Sequence, residues 1–153
     1  MNPRQAAIGL LERGLAGLDR LAQRRGCNDM PQHLRVGIAG EDAAFFELRR
    51  KDYTVVARRW SAGNLDGDVD LIAWQGTLLC FIEVKTRTAR DRTPAEAAVD
   101  RHKQHVLRKL ARAYVRHLPQ NDAPRTRFDV MSVYLVPGEE RDIVHFENAF
   151  GWN

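Results

Sequence analysis

The sequence predicts an α/β fold, a mixed β-sheet flanked by helices and entered through an N-terminal helical extension. Helix-period and strand-period segments follow one another in the order helix, three strands, helix, two strands once the extension is passed. Two of those strands, DLIAW and LLCFIEV, are apolar on both faces, the mark of strands covered by a layer on each side. With 153 residues, 44% apolar and 29% charged, the chain can build one proper core.

The extension, residues 1–34, carries Ile8, Leu11, Leu15, Leu18 and Ala22 at alternating steps of three and four, a narrow helical stripe flanked by Arg13, Arg20 and Arg24. Gly9, Gly14 and Gly17 weaken that helix by up to ~1 kcal/mol each relative to Ala. It suits either a loosely held extension or a helix that docks on a protein partner or a membrane surface. Glu12 and Asp19 argue against a targeting peptide. GCNDMPQH then reads as a linker into a domain covering 35–153.

In that domain residues 38–51 read as a helix and YTVVARRW as a strand. SAGNLDGD is a loop, and two strands follow around Gln75-Gly76. Thr93, Pro94 and Glu96 form a helix-start signature of N-cap, first-turn proline and capping box. A long helix runs through RHKQHVLRKLARAYVRHL, with Val106, Leu110, Tyr114 and Leu118 as its buried stripe. RFDVMSVYLV and DIVHF are the last strands.

The charged residues inside the apolar hairpin are the informative ones. A turn at Gln75-Gly76 pairs Trp74 with Thr77, hence Asp70 with Phe81 and Asp68 with Glu83. Side chains alternate faces, so Asp68, Asp70, Glu83 and Lys85 converge on one side. A slip of two residues keeps that convergence, whereas a slip of one destroys it. Charges in central strands cost several kcal/mol each unless paired or metal-bound. An internal salt bridge of Lys85 with Glu83 or Asp70 is the plain explanation. Three carboxylates around one lysine leave surplus negative charge, for which a divalent cation is the natural compensation.

Wound at about 100° per residue, Glu41 falls between Phe45 and Leu48 in the sector that also holds Ile38. Either the helix N-terminus favours it there, or it points over the sheet edge toward Asp70 and Glu83. An acid followed by D-x(12)-E-x-K on adjacent strands is a metal-dependent phosphodiesterase arrangement. Asp70 and Glu83, with the backbone carbonyl of Val84, would hold the ion. Lys85 would orient or deprotonate a water, or stabilise charge developing on phosphate oxygens. Hard oxygen donors favour Mg2+ or Mn2+ over zinc.

The combination GEDAA, VDLIA, EVKTR and RFDV resembles the YraN family of bacterial proteins over about residues 37–150. That resemblance implies the restriction-endonuclease-like fold of the PD-(D/E)xK nuclease superfamily, an αβββαβ core similar to that of Holliday-junction resolvases. It carries Glu41, Asp70, Glu83 and Lys85 over as the metal and catalytic set, and Lys103 as a phosphate contact. Asp68, a candidate accessory acid, stands where the family usually has Glu, and Arg59 where Asn is expected.

A net charge of +4 suits a polyanionic partner, and arginine suits phosphate. Arg58, Arg59 and Trp60 at a strand end, and Arg87, Arg90 and Arg92 after the EVK strand, are candidate nucleic-acid contacts. Arg108, Arg112 and Arg116, joined by Lys109, form a basic stripe on the long helix, either a solvated face or a track for phosphates. His102 and His105 lack a third zinc ligand nearby. DGDVD fails as a calcium loop because Leu71 and Thr77 occupy its Gly and Glu positions. Asp129 is expected to make a structural bond to Arg127 or to the long helix.

The expectation is a reduced, cytoplasmic protein: Cys27 and Cys80 are too few for a disulfide framework, and no apolar run spans a membrane. Its expected activity is Mg2+- or Mn2+-dependent hydrolysis of DNA, rather than RNA, at branched or damaged sites. The alternative is a nucleic-acid-binding module of the same fold without turnover. A homodimer would suit a two-fold junction, but no residue marks a dimer surface.

Overall fold

The computed structural model describes residues 3–24, 30–90, 99–119 and 123–153. Helix α1 (Pro3–Arg24) leads into α2 (Gln32–Arg50), then strands β1 (Thr54–Trp60), β2 (Val69–Gln75) and β3 (Leu78–Arg87). Helix α3 (Arg101–Arg116) and strands β4 (Arg125–Tyr134) and β5 (Asp142–Phe150) complete the chain. One sheet holds the strands in sequence order, antiparallel except for the parallel pair β3 and β4. A parallel neighbour cannot be reached by a tight turn, and α3 lies in the crossover. The order from α2 to β4 is the expected αβββαβ core, with α1 ahead of it and β5 behind.

The sheet is covered on both faces, as the two-sided apolar strands require. Ala43, Ala44 and Leu48 of α2 pack with Leu71, Ala73, Cys80, Ile82, Val84, Met131 and Val133. Leu107, Leu110 and Ala111 of α3 pack with Ile72, Leu79, Phe81, Phe128 and Val130 on the other face. Val106, Tyr114 and Leu118 of the expected stripe flank this second core, but its buried centre includes Leu107, which the stripe omitted.

Helix α2 starts at Gln32, six residues ahead of the expected start, with Pro31 at the N-cap and no side-chain cap. A helix without a capping side chain leaves no start signal in the sequence. Its other end is a Schellman motif: Asp52 takes φ 61°, and Tyr53 N–H donates to the Leu48 carbonyl at 2.9 Å. Midway, Gly40 lies so close to β3 that a Cβ there would stand 2.8 Å from both Cβ and Cγ2 of Thr86. Helix α3 is capped by Asp100, whose carboxylate accepts the Lys103 N–H at 2.8 Å. The Thr93–Glu96 signature lies outside the described residues.

The hairpin register differs from the expected one by two residues. Gln75 pairs with Leu78 and Trp74 with Leu79, so the turn is Gly76-Thr77. Gly76 takes φ 58° as the first central residue, the position where a type II′ hairpin turn places glycine. The even slip leaves every side chain on its expected face. At the other edge, β4 and β5 shift register: between the pairs Phe128–Phe150 and Val130–Phe146, Asp129 alone faces residues 147–149.

The N-terminal stripe is not the packed face of α1. Ile8 is buried, but Leu11 is 64% exposed and Leu15 is exposed. The side chains of Leu18 and Ala22 lie outside those described. Helix α1 is tied instead by Glu12, whose carboxylate meets Arg50 at 2.7 Å and Arg141 at 2.6 Å.

Candidate active site

Glu83 and Lys85 alternate with Ile82 and Val84, which belong to the α2-side core, and so face α3. Extending the hairpin register by one pair beyond Leu71–Ile82 sets Asp70 across from Glu83. Asp70 Oδ2 accepts the Val84 N–H at 2.6 Å, which fixes this carboxylate against the next strand. Helix α3 delivers Lys103, whose Nζ lies 3.2 Å from Glu83 Oε2 and donates to the Asp68 carbonyl at 3.2 Å. Lys85 Nζ stands 2.8 Å from Glu83 Oε1.

From the opposite face, α2 contributes Glu41. The close approach at Gly40 brings the next residue over the end of the sheet. There Glu41 lines a cavity of about 430 Å³ with Arg59, Asp68 and Asp70, and a neighbouring one of about 620 Å³ with Val84, Thr86 and Thr88. His33 lines both cavities, although its segment reads as linker in the sequence. Glu41 therefore does reach over the sheet edge. Its carboxylate is taken by Arg59, however, through Nε to Oε2 at 2.6 Å and Nη2 to Oε1 at 3.1 Å.

The electrostatics follow from this crowding. Burial, then the Glu83 carboxylate, push Asp70 up to about 7; the Val84 N–H and Lys103 offset only part of that. Burial alone would lower the Lys103 ammonium, but Glu83, then Asp70 and Asp68, outweigh it and leave it above its ordinary value.

Two buried acids on neighbouring strands are held by different partners. Asp129, 1% exposed, accepts from Arg127 Nε at 2.7 Å and Nη2 at 2.8 Å, from Asn148 N–H at 2.9 Å, and lies 2.9 Å from His145 Nε2. Burial would raise its carboxyl, yet the bonds from His145 and Arg127 hold it below its ordinary value. Asp129 is thus a structural acid bonded to Arg127, as the sequence indicates, and it closes the gap in the β4–β5 register. Glu83, 4% exposed, is held by two ammonium groups, Lys85 at 2.8 Å from Oε1 and Lys103 at 3.2 Å from Oε2.

The donor set suits a hard divalent cation because the hairpin register brings the carboxylates of Asp70 and Glu83 face to face across a strand pair, and the repulsion of Glu83 helps to push Asp70 up. Among the described residues, no three His, Cys, Asp or Glu side chains enclose an ion by themselves. The third acid, Glu41, is the one turned to Arg59.

The other candidate contacts are dispersed. Arg58 pairs with Asp42 and lies over the Phe45 ring. Arg87 ends β3, its carbonyl accepting Leu135 N–H at 2.7 Å. Arg90 is tied to Glu139 and Asp142 and stacks on Tyr134; Arg92 lies outside the described residues. Arg108 donates to the carbonyls of Gly151 and Asn153, and Arg112 lies over Trp152. This part of the basic stripe holds the C-terminal tail. Trp60 sits edge-on to Tyr114.

Residues 40–133 match the family described as "Uncharacterised protein family UPF0102". A UPF0102 protein of Koribacter versatilis is 50% identical over 107 residues, 70% of this chain and 73% of that protein. One from Solibacter usitatus is 44% identical over 128 residues, 84% and 89% of the two chains. One from Symbiobacterium thermophilum is 41% identical over 117 residues, 76% and 96%. With most of its length shared at these identities, the chain belongs to the UPF0102, or YraN, family.

Proposed function

We propose that this protein is a nuclease that uses Mg2+ or Mn2+ to hydrolyse phosphodiester bonds of DNA, at branched or damaged sites. One observation carries the reading: the acids Asp70 and Glu83, opposed across two strands, crowd like charges together beside Lys85 and Lys103 at the sheet's end, where Asp70 lines a cavity with Glu41. Asp70, Glu83 and the Val84 carbonyl would hold the ion, which supplies Lewis-acid polarisation of the phosphate. Lys85, on the same strand face as Glu83, would donate to charge developing on a phosphate oxygen or orient the attacking water. Lys103, half-buried against Glu83 and Asp68, holds the acid in place and presents a second donor to phosphate. The net charge of +4 favours approach of a polyanion.

A second reading has an observation behind it. Both lysines contact Glu83, and Arg59 takes Glu41, so the set is also a network of ion pairs. On that reading the protein binds DNA without turnover. Labelled linear, flapped and four-way DNA incubated with Mg2+, Mn2+ or EDTA separates the two. The nuclease predicts metal-dependent cutting that falls by about 10²–10⁴-fold in Lys85→Ala and at least as much in Glu83→Ala. Equal cutting by both variants and wild type would sink the assignment, and salt-sensitive binding without cutting would favour the module.

A further inference from the structure

Arg59 departs from what a strand residue normally does, in two independent ways. Its backbone is left-handed, φ 46°, at the next-to-last residue of β1, where a residue with a Cβ pays a steric penalty. Its side chain, 48% exposed, turns inward over the acids instead of outward. The pairs Arg58–Leu71 and Trp60–Val69 bracket it, so Arg59 stands across from Asp70. Both Glu41 oxygens are engaged by its fork. A planar two-point donor fills a carboxylate's bonding directions in a way a single ammonium does not.

We propose that Arg59 limits this site to one divalent cation, its guanidinium occupying the Glu41 carboxylate that a second ion would need. The inference rests on the metal-dependent reading above. Charge supports it. Glu41, Asp68, Asp70 and Glu83 face Arg59, Lys85 and Lys103 among the described residues, formally one negative charge in excess. One divalent cation together with one phosphodiester anion brings that set to neutrality. A second cation would leave two positive charges uncompensated beside a half-buried cleft. Without Arg59 the excess is two negative charges, Glu41 is free to ligate, and a second ion has both a ligand and a counter-charge. The strained backbone fits this role, because strain at one residue persists where surrounding contacts hold it in a functional position.

The experiment is a titration with Mn2+ alone, counting ions per chain by calorimetry and by the loss of the free-ion electron paramagnetic resonance signal. It uses the full chain as wild type, Arg59→Asn, Arg59→Lys, Arg59→Asn with Glu41→Gln, and Glu83→Gln. Asparagine accepts a left-handed backbone, so Arg59→Asn removes the cation without straining the strand. The expected result is one ion for wild type, two for Arg59→Asn, and one again for the double variant. Arg59→Lys, which keeps the charge, stays at one, and Glu83→Gln loses the ion. Two ions on wild type, or one on Arg59→Asn, would overturn the role of Arg59 while the ion lost in Glu83→Gln leaves the metal site standing. No ion bound by wild type would overturn both readings.

Discussion

Burial and the facing Glu83 make Asp70 hard to ionise in the folded chain, and this has a sign that stability measurements can read. Its folded value, about 7, lies above the ordinary 3.8, so the folded state holds a proton that the unfolded state releases. The resulting penalty is absent below pH 3.8 and complete above about pH 7. Asp70→Asn removes it: the variant melts several degrees above wild type at pH 8, with no such gain at pH 4. A scanning calorimetry series across that range checks this, and an equal shift at both ends would mean Asp70 is not strained by its charge. Asp129 has the opposite sign. Held below 3.8 by its partners, it contributes stability that is present at neutral pH and lost as pH falls below about 4. Asp129→Asn costs about 3 kcal/mol at pH 7, because Arg127 loses its buried charge partner, and flattens the acid limb of stability against pH. Urea unfolding at several pH values measures both effects.

At the scale of elements, the Gly40–Thr86 contact sets where α2 lies on β3 and so where Glu41 ends up. Gly40→Ala gains up to ~1 kcal/mol of helix propensity but forces a Cβ into Thr86. We expect a net loss of about 1–3 kcal/mol, only partly recovered when Thr86 is also cut to alanine, which removes Oγ1 and Cγ2 but leaves its Cβ 2.8 Å away, in a double-mutant cycle by chemical denaturation. The hairpin explains how much of the site the sequence discloses. Alternation alone places Asp70, Glu83 and Lys85 on one face, and an even register error cannot move them. Whether Gly76 is the first or second turn residue is decided by backbone twist, which the string Gln-Gly-Thr leaves open. The side chains from other elements are the illegible part. Arg59 meets Glu41 across a helix and a strand, Arg108 is claimed by carbonyls at the chain's end, and Glu12 anchors α1 from within an apolar stripe. Nothing local in sequence encodes those pairings.

Across the whole molecule the sheet separates two polar centres with different tasks. One, around Asp129, Arg127, Tyr53, Glu147 and His145, ties α2's end to β4 and β5. The other, around Asp70 and Glu83, opens through Asp70 to a cleft lined by α2, the end of β1 and the start of β2. In the first, Asp129 is engaged by Arg127, Asn148 and His145; in the second, Asp70 and Glu83 crowd two carboxylates together. No helix among the described residues is long and apolar enough to cross a membrane. The mismatch of Asp129 against residues 147–149 has one more effect, at the rim of the sheet. Among the described residues strand β5 has no neighbour beyond it, and a rim of that kind offers its amides to any other extended chain. The irregular stretch, with Asn148 at φ 54°, breaks the ladder that such a chain would have to follow. The carboxylate that stabilises the fold from inside therefore also guards its outer border against strand-to-strand self-association.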